Sequence, residues 1–418
     1  MSRGMVVPIF AIIIVLLDWY VFQLLRVLIV NYSPATRKWL IAGYWTFTVL
    51  TIIGLAVFNL IGDDFPNRGI KNFIMMWIFI HIISKVFALL FVLADDIIRL
   101  ARWVGRGISG LIQKQPGQIS GTPIPRSEFL AKAAIYAAGI PAFTLGLGVL
   151  AGGYNYQVRR KTIYLPNLPS AFDGIRIGQL SDIHSGSFFN RSGARNGVEQ
   201  FLAEKPDVIF FTGDLVNNEA GEMDNFIEVF GKLKAPLGIF SVLGNHDYGE
   251  YRNWSSLEDK QKNLQKLIRI ERQMGWDLLM NEHRTLTVDK EEIAIIGVEN
   301  WGKGGFQKYG DLKKAYTGTE EKPVKLLLSH DPSHWDAQVR PNFSDIDITF
   351  SGHTHGLQFG VEVGDIKWSP SQYIYEQWAG LYEKNGQYIY VNRGFGFIGY
   401  PGRIGIWPEL TIIELKKA

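Results

Sequence analysis

Four long apolar segments constrain the fold of this chain more than any other feature. They are Val6–Val30, Trp39–Gly62, Phe73–Ala94 and Phe129–Gly153. Each has the ~20 residues that a helix needs to cross about 30 Å of hydrocarbon. A secretory signal peptide would be a single, shorter apolar stretch. Residues 1–153 are therefore predicted to form a transmembrane domain of four helices; the alternative is a set of buried core helices in a soluble protein.

Ionisable residues interrupt these spans at Asp18, His81 and Lys85. Charges at mid-membrane depth are costly, and such residues usually face a partner or a cavity. One interpretation pairs Asp18 with Lys85; in the other, each side chain packs inside the bundle or reaches the interface. Residues 97–114, between the third and fourth spans, alternate arginines with apolar residues at helical spacing, which predicts a helix lying on the membrane surface.

After residue 153 the chain reads as a soluble domain, predicted to comprise residues 154–418. The net charge of +3 for the whole chain is too small to indicate the concentrated basic surface of a nucleic-acid-binding protein. The chain contains no cysteine, which excludes disulfides, thiolate metal sites and a cysteine nucleophile. Nothing in the sequence indicates an obligate protein partner.

Five short apolar runs in this second domain each end in polar residues. The runs are "IRIGQLS", "DVIFFTG", "GIFSVLG", "VKLLLS" and "DITFSG". Each is typical of a buried strand, and the helical stretches Ser192–Lys205 and Leu257–Met274 between them indicate an α/β domain. In such domains the ligand-binding groups collect at the carboxyl ends of the strands.

The residues that follow these strands are potential metal ligands. Five of the eight histidines in the chain stand there with two aspartates and an asparagine: Asp182, His184, Asp214, Asn245, His246, His330, His353 and His355. Residues two apart in an extended chain point the same way, so the paired residues in "DIH" and "HTH" are each expected to share a face. Imidazole and carboxylate donors without thiolates suit manganese, iron or zinc. Two ions sharing a carboxylate accommodate this many ligands better than one ion.

The order of these motifs resembles that of the calcineurin-like metallophosphoesterases. The motifs are Asp182-Ile-His184, Gly213-Asp214, Gly244-Asn245-His246-Asp247, His330 and Gly352-His353-Thr354-His355. The resemblance extends over residues 160–418, and the anchor is similar to the membrane-bound branch of the family, which includes enzymes that cleave the pyrophosphate of UDP-2,3-diacylglucosamine. It implies two mixed β-sheets packed face to face with helices outside, a four-layer α/β/β/α sandwich.

The resemblance also implies a role for each of these residues. The first metal ion would bind to Asp182, His184, Asp214 and His355. The second would bind to Asp214, Asn245, His330 and His353, so that Asp214 bridges. The expected cofactors are two divalent ions, manganese in preference to iron or zinc, with a hydroxide between them that attacks phosphorus in line. His246 would protonate the leaving group or stabilise the transition state, and Asp247 would set the tautomer of His246.

The second domain also contains loops rich in aromatic residues and glycine. They are "YGEYRNWSS", "NWGKGGFQKYG", "VGDIKWSPSQYIYEQWAG" and "NRGFGFIGYPGRIGIW". Exposed aromatic side chains beside a membrane anchor suit an amphiphilic substrate or the lipid interface, and the alternative is that they cover the sheet edges. Arg393 and Arg403 are the nearest cations and are predicted to bind a second phosphate or a carboxylate of the substrate. His283 and His334 are assigned no role in the site.

The predicted function is that of a membrane-anchored, dinuclear-metal phosphoesterase. Its substrate would be a phosphodiester or pyrophosphate that is lipid-linked or part of the cell envelope, such as UDP-2,3-diacylglucosamine. One alternative is a tethered phosphomonoesterase acting on a phosphoprotein or nucleotide. Another is a non-catalytic sensor or scaffold, which the complete set of ligands disfavours. The expected partners are a phosphate ester and membrane lipid, and nucleic acid is disfavoured.

The chain is predicted to be a multi-pass protein of the plasma or inner membrane. Four spans place the N-terminus and the second domain on one side, and the basic residues flanking the spans do not decide which side. "PRSEFLAKAAIYAAG" resembles a twin-arginine export signal in which Ser127 replaces the second arginine. The basic segment 97–114 suits the anionic cytoplasmic leaflet. Both features favour a catalytic domain outside the cytoplasm, whereas hydrolysis of UDP-diacylglucosamine requires the reverse orientation.

Overall fold

The computed structural model describes residues 3–61, 68–112, 127–364 and 366–418. The chain divides into two compact units, Met1–Leu147 and Gly148–Ala418, whereas the sequence places the domain boundary after Gly153. The division falls earlier because Gly148 already belongs to the hydrogen-bonded structure of the second unit. Its carbonyl oxygen accepts from the backbone N–H of Arg403 at 3.1 Å.

Four long helices make up the N-terminal part of the chain. They are α1 (Arg3–Leu28), α2 (Pro34–Ile61), α3 (Arg68–Ile112) and α4 (Glu128–Leu150). Each is long and apolar enough to cross a membrane. Large apolar side chains on all four are exposed, as expected for helices that face lipid rather than a protein core. The prediction of a membrane domain with four helices is confirmed.

Residues 97–112, which belong to the basic segment predicted to lie on the membrane surface, continue the helix of the third span. Helix α3 continues without a break from the third span to Ile112 and contains 45 residues. At 1.5 Å per residue it is about 67 Å long, more than twice the hydrocarbon thickness. Residues 94–97 include no proline or glycine that would end the helix. Residues 113 and 114 lie outside the described part of the chain.

A buried polar cluster joins the first three helices. Asp18 of α1 is fully buried, and its carboxylate lies 3.1 Å from Lys85 Nζ and 3.0 Å from His81 Nε2 of α3. From α2, Thr48 donates to the same carboxylate at 2.5 Å and Tyr44 donates to the Asp18 carbonyl oxygen at 2.7 Å. The structure therefore contains the ion pair between Asp18 and Lys85, and His81 contacts the same carboxylate.

Substitution of Asp18 should destabilise the helical unit strongly. Asp18→Ala leaves Lys85, whose side chain is 16% exposed, without its counter-ion, which costs about 3–5 kcal/mol. Thermal unfolding of the full chain in lipid nanodiscs measures the loss. The double variant Asp18→Leu/Lys85→Met removes both charges and should recover most of the stability, because no unpaired charge then remains. Equal destabilisation by the single and double variants would contradict this account.

The second unit contains two six-stranded sheets. The order of strands in the first sheet is β1 (Gln157–Leu165), β14 (Glu409–Lys417), β2 (Arg176–Leu180), β3 (Val208–Phe211), β4 (Ile239–Ser241) and β5 (Asp277–Leu278). The order in the second sheet is β12 (Gly380–Lys384), β13 (Gln387–Val391), β9 (Ile348–Ser351), β8 (Lys325–Leu328), β7 (Glu291–Gly297) and β6 (Glu282–Val288). A separate hairpin is formed by β10 (Val361–Val363) and β11 (Ile366–Trp368).

The two sheets pack face to face, and helices cover their outer faces. Strand β3 shows why, because Val208 and Phe210 point into the core between the sheets while Ile209 and Phe211 point to the helices. Both faces of the strand are buried, which explains its uninterrupted apolar sequence. The helices are α5 (Arg191–Ala203), α6 (Ile227–Phe230), α7 (Leu257–Gln273), α8 (Leu312–Tyr316) and α9 (Arg340–Asn342). The predicted four-layer α/β/β/α sandwich is confirmed.

Candidate metal centre

Parallel strand pairing brings the polar strand ends together. Strands β2, β3 and β4 are parallel neighbours in the first sheet, as are β8 and β9 in the second. The predicted ligands follow the carboxyl ends of these five strands. Parallel strands end at the same edge of a sheet, and the two sheets are stacked, so residues that are far apart in sequence meet at one edge of the sandwich.

Six of the predicted ligands form two groups of three. Within each group the potential ligand atoms lie within 4.8 Å of one another; the groups are Asp182, His184 and His355, and Asp214, His330 and His353. Asn245 joins the second group, because its Oδ1 lies 3.1 Å from His330 Nε2 and 2.9 Å from His353 Nδ1. All seven residues predicted to bind metal therefore converge.

The carboxylate of Asp214 lies between the two groups. Its Oδ2 is 3.5 Å from His184 Nε2 of the first group and 3.2 Å from His330 Nε2 of the second. Its Oδ1 accepts the backbone N–H of His246 at 2.9 Å. A single oxygen atom thus faces both groups, which is the geometry that a shared ligand requires.

Five of the seven residues have a left-handed backbone conformation. Their φ values are 52° at Asp182, 48° at His184, 59° at Asp214, 70° at His353 and 51° at His355. Such φ values are uncommon for residues with a side chain and cost about 1–3 kcal/mol each, a strain that concentrates at functional sites. The expectation that His353 and His355 share a face is wrong, because it assumed an extended backbone; the left-handed turns send the two rings to different groups.

Hydrogen bonds to residues around the centre orient the ligand side chains of the second donor group. Thr212 accepts through its carbonyl oxygen from His330 Nδ1 at 2.7 Å, so Nε2 of that ring faces the centre. Tyr375 OH lies 2.8 Å from His353 Nε2, which leaves Nδ1 for the centre. Asn245 Nδ2 donates to the hydroxyl of Tyr251 at 2.8 Å, so its Oδ1 faces inward. Such contacts fix ligand orientation and tautomer. The sequence indicated both tyrosines only as members of aromatic loops.

The structure corrects the role predicted for Asp247. Its carboxylate accepts four backbone N–H groups at 2.8–3.2 Å, from Asp214, Leu215, Val216 and Gly244, and therefore holds the loop that carries Asp214. The tautomer of His246 is set instead by the carbonyl oxygen of Asn217, 2.8 Å from His246 Nδ1. A carbonyl only accepts, so Nδ1 carries a proton and Nε2 remains available for chemistry. Asn217 has no signal in the sequence that would have identified it.

The prediction that Arg393 and Arg403 bind substrate is also corrected. Both side chains are buried. Arg393 pairs with Glu409 at 2.5 Å and with Glu362 at 2.9 Å. Arg403 donates to the carbonyl oxygens of Gly394 and Gly396, and its Nη2 lies 3.2 Å from His355 Nδ1. Neither guanidinium group is available to a second phosphate.

The electrostatics of the centre favour a cation. Burial opposes ionisation of Asp214, but the surrounding histidines outweigh burial and hold the pKa of Asp214 well below its usual range. Burial also opposes protonation of His330, but Asp214 and Asp182 outweigh it and raise the pKa of His330 to about 10. Burial lowers the pKa of His184 well below the usual value. The seven nitrogen and oxygen donors therefore fit divalent ions, which would balance the carboxylate charge while the imidazoles stay neutral.

The two histidines assigned no role lie outside both groups. His334 is buried and its two ring nitrogens are hydrogen-bonded to Ser329 Oγ at 2.8 Å and Gln338 Oε1 at 2.7 Å. His283 Nδ1 is bonded to the carbonyl oxygen of Ala315 at 3.1 Å. Hydrogen bonds within the domain account for both side chains.

A cavity of about 220 Å³ opens beside the second group. Its lining residues are Asn245, Glu250, Tyr251, Asn300, Gly305, Phe306, Gln307 and Tyr309. Phe306 also contacts the ring of His353, with centroids 5.1 Å apart. The cavity therefore offers aromatic and amide surface to a group attached to a phosphate at the centre.

The fold and the centre together define a class of protein. An α/β/β/α sandwich that collects buried aspartate, asparagine and histidine donors at its strand ends is the framework of a metal-dependent hydrolase. Residues 175–357 match the family described as "Calcineurin-like phosphoesterase", and residues 2–153 match "Probable Calcineurin-like phosphoesterase, transmembrane domain". The chain belongs to the calcineurin-like phosphoesterases with an N-terminal four-helix transmembrane domain, and it is a metal-dependent phosphoric ester hydrolase.

Three relatives illustrate the range of similar proteins. "Uncharacterized metallophosphoesterase YkuE" of Bacillus subtilis is 29% identical over 66% of this chain and 94% of the relative. "Transmembrane protein with metallophosphoesterase domain" of Danio rerio is 31% identical over 61% of this chain and 56% of the relative. "UDP-2,3-diacylglucosamine pyrophosphatase LpxG" of Chlamydia trachomatis is 28% identical over 55% of this chain and 81% of the relative.

Proposed function

We propose that this membrane-anchored phosphoesterase hydrolyses a phosphodiester or pyrophosphate bond of a lipid-linked or cell-envelope substrate, with two divalent metal ions held by the candidate centre. The observation that carries the proposal is the convergence of seven donors, six of them buried and His353 partly buried, in two groups that share Asp214. UDP-2,3-diacylglucosamine is one candidate, supported by the similarity to the Chlamydia trachomatis pyrophosphatase, and it requires a catalytic domain that faces the cytoplasm.

Each donor group would hold one ion. The first ion would bind to Asp182, His184, Asp214 and His355, and the second to Asp214, Asn245, His330 and His353. When bound, the two ions supply an activated water and neutralise charge that develops on the phosphoryl oxygens. The remaining steps fall to side chains outside this set.

His246 is placed to handle the leaving group. Its backbone N–H is bonded to Asp214, so its ring stands next to the centre, and the ring centroid lies 5.0 Å from that of His184. The carbonyl oxygen of Asn217 holds Nδ1, so Nε2 is the atom that would donate a proton to the departing oxygen. A histidine in this position is suited to general acid catalysis.

The surroundings of the centre support a substrate with a large group attached to phosphorus. The cavity beside Asn245 is lined with tyrosine, phenylalanine and amide side chains and includes no lysine or arginine among the residues that line it. Such a surface suits a sugar, a base or an alkyl group better than a second anionic group. The anchor would keep the enzyme at a membrane, where a lipid-linked substrate is found.

A substrate comparison tests this proposal. The full chain, purified with Mn²⁺, is assayed on bis-p-nitrophenyl phosphate, p-nitrophenyl phosphate and UDP-2,3-diacylglucosamine. We expect the diester or the pyrophosphate to be hydrolysed with a higher kcat/KM than the monoester. A clear preference for the monoester would contradict the proposal and favour a tethered phosphomonoesterase. Lack of hydrolysis of all three, in protein loaded with metal, would favour a non-catalytic role.

Metal exchange should distinguish manganese from magnesium. A chelator is expected to abolish activity, and Mn²⁺ is expected to restore it best, because imidazole donors make a poor site for Mg²⁺, which prefers oxygen ligands and retains its water. Activity is measured after chelation, dialysis and addition of each ion in turn, with Fe²⁺ and Zn²⁺ included. Full activity with magnesium alone would argue against the proposed ligand set.

Membrane orientation decides between classes of lipid substrate. We expect the catalytic domain to lie outside the cytoplasm, so alkaline phosphatase fused to Ala418 should be active and a fluorescent protein at the same position should be dark. That result would exclude a cytoplasmic nucleotide-linked precursor as substrate. The opposite result would reverse the proposed orientation and favour UDP-2,3-diacylglucosamine.

A further inference from the structure

One segment of the second unit exposes far more apolar surface than the rest. Among its described residues after Gly153, twelve large hydrophobic side chains are exposed, and eight of them lie within eighteen residues of each other. These eight form what we call the apolar hairpin surface: Leu357, Phe359, Val361, Val363, Ile366, Trp368, Tyr373 and Ile374. Val363 is 70% exposed and Ile366 72%. A contiguous apolar patch of this kind marks an interaction site.

The hairpin of β10 and β11 has its polar face inward. Val361 pairs with Trp368, and Val363 pairs with Ile366. Side chains alternate along a strand, so these four lie on one face of the hairpin. The other face contains Glu362 and Lys367, whose partners all belong to the second unit.

The polar face attaches the hairpin to the domain. Glu362 forms ion pairs with Arg393 at 2.9 Å and Arg159 at 2.7 Å. Lys367 Nζ donates to the carbonyl oxygen of Ala379 at 2.7 Å. A two-stranded hairpin is marginally stable by itself in water. Here polar contacts with the second unit hold it, and its apolar face is exposed to solvent, which is the reverse of the usual arrangement.

The base of this hairpin lies near the first residues of the second unit, which continue the fourth candidate span. The carbonyl oxygen of Gly148, in the candidate span Glu128–Tyr154, accepts the backbone N–H of Arg403 at 3.1 Å. The next residue, Ile404, donates to Gln358 at 2.8 Å and accepts from Gly360 at 2.9 Å. A single short segment therefore separates the end of the span from the strand that leads into β10. Consecutive residues are at most about 3.8 Å apart, so this part of the second unit lies close to its own first residues, where the fourth span ends.

We propose that the apolar hairpin surface contacts the lipid bilayer in which the chain is anchored, with Val363 and Ile366 inserted into the interface. The aliphatic residues are at the tip and Trp368 and Tyr373 flank them, joined by a hydrogen bond of 3.5 Å. Tryptophan and tyrosine favour the headgroup level, and aliphatic side chains the acyl boundary below it. The apolar hairpin surface lies near the end of the fourth span and its apolar side chains face outward, and both features favour lipid as its partner.

This contact has a consequence for the metal centre. Tyr375, which is bonded to His353, lies two residues after Tyr373 of the apolar hairpin surface. A lipid contact there would bring the centre next to the headgroups, where a phosphate ester in the membrane plane could reach it. The lipid contact itself does not depend on the proposed function.

Site-specific fluorescence tests the contact without reference to activity. The chain has no cysteine, so Val363→Cys and Ile366→Cys each provide one labelling site for an environment-sensitive nitrobenzoxadiazole probe. The full-length protein is placed in nanodiscs of phosphatidylcholine and phosphatidylglycerol, with or without nitroxide-labelled lipid. The matched control is Lys290→Cys, an exposed residue at the turn of the β6–β7 hairpin.

We expect probes at 363 and 366 to be quenched by nitroxide lipid and to have an iodide quenching constant at least about threefold lower than the probe at 290, as for side chains within the interface. Equal iodide quenching at all three positions, without quenching by nitroxide lipid, would overturn the proposal. Protection that appears only when two chains share a nanodisc would also overturn it and assign the surface to a second copy of the chain.

Discussion

Replacement of Asp214 with asparagine is expected to remove both metal ions and to lower kcat/KM by at least about 1,000-fold. The physical reason is the position of the carboxylate. Its Oδ2 lies within 3.5 Å of ring nitrogens in both donor groups, so it would be the only residue shared by both ions. An amide has the same shape but no charge, and it cannot balance two divalent ions. Metal analysis of the purified full chain and steady-state kinetics measure the two effects.

A matched control is available on helix α7. Glu271 is fully buried, its carboxyl accepts from Ser241 Oγ at 2.5 Å, and burial raises its pKa to about 8. The group is therefore mostly protonated at neutral pH, and Glu271→Gln should change neither metal content nor activity. If Asp214→Asn retained two ions per chain, the assignment of Asp214 as the shared ligand would be wrong.

Replacement of His246 with alanine is expected to leave two ions bound and to lower kcat by about 10²–10⁴-fold, the range typical for loss of a general acid. The loss should depend on the leaving group. An alkyl phosphodiester requires protonation of the departing oxygen, whereas p-nitrophenolate departs readily as an anion. The ratio of wild-type to variant kcat should therefore be much larger for the alkyl ester. Measurement of kcat on both esters, with metal analysis, tests the role.

The control for this experiment is His283→Ala. His283 is hydrogen-bonded to Ala315 outside both donor groups, so its loss should not affect kcat. A metal-free His246→Ala protein would show that this histidine is a ligand rather than an acid. An equal loss on both esters would show that His246 stabilises the transition state without transferring a proton.

The convergence of the donors was predictable because it follows from the direction of the strands. Each polar motif stands immediately after a short apolar run, and parallel strands that are buried on both faces have such runs. Once the runs are taken as strands, their carboxyl ends must meet at one edge. Strand direction brings these ends together whatever the side-chain positions, so even His184 and His355, 171 positions apart, meet there.

The errors occurred where an assignment depended on side-chain contacts across the fold. Arg403 stands in an aromatic, glycine-rich loop that suggested exposure, yet its guanidinium is completely buried against backbone carbonyls. Asp247 follows His246 directly, yet their side chains have different partners. Adjacency and local composition do not determine contacts of this kind.

Span length, strand periodicity and ligand type are local properties of the chain, and for that reason the four membrane spans, the α/β class of the second domain and the chemical nature of the donors were predictable from the amino-acid sequence. The division of the donors into two groups, the carbonyl that sets the tautomer of His246 and the apolar residues that remain exposed became known from the folded structure. Those features depend on contacts between segments that are distant in sequence. Left-handed turns at His353 and His355 are the clearest case, since the surrounding fold imposes a backbone conformation that the residues themselves do not favour.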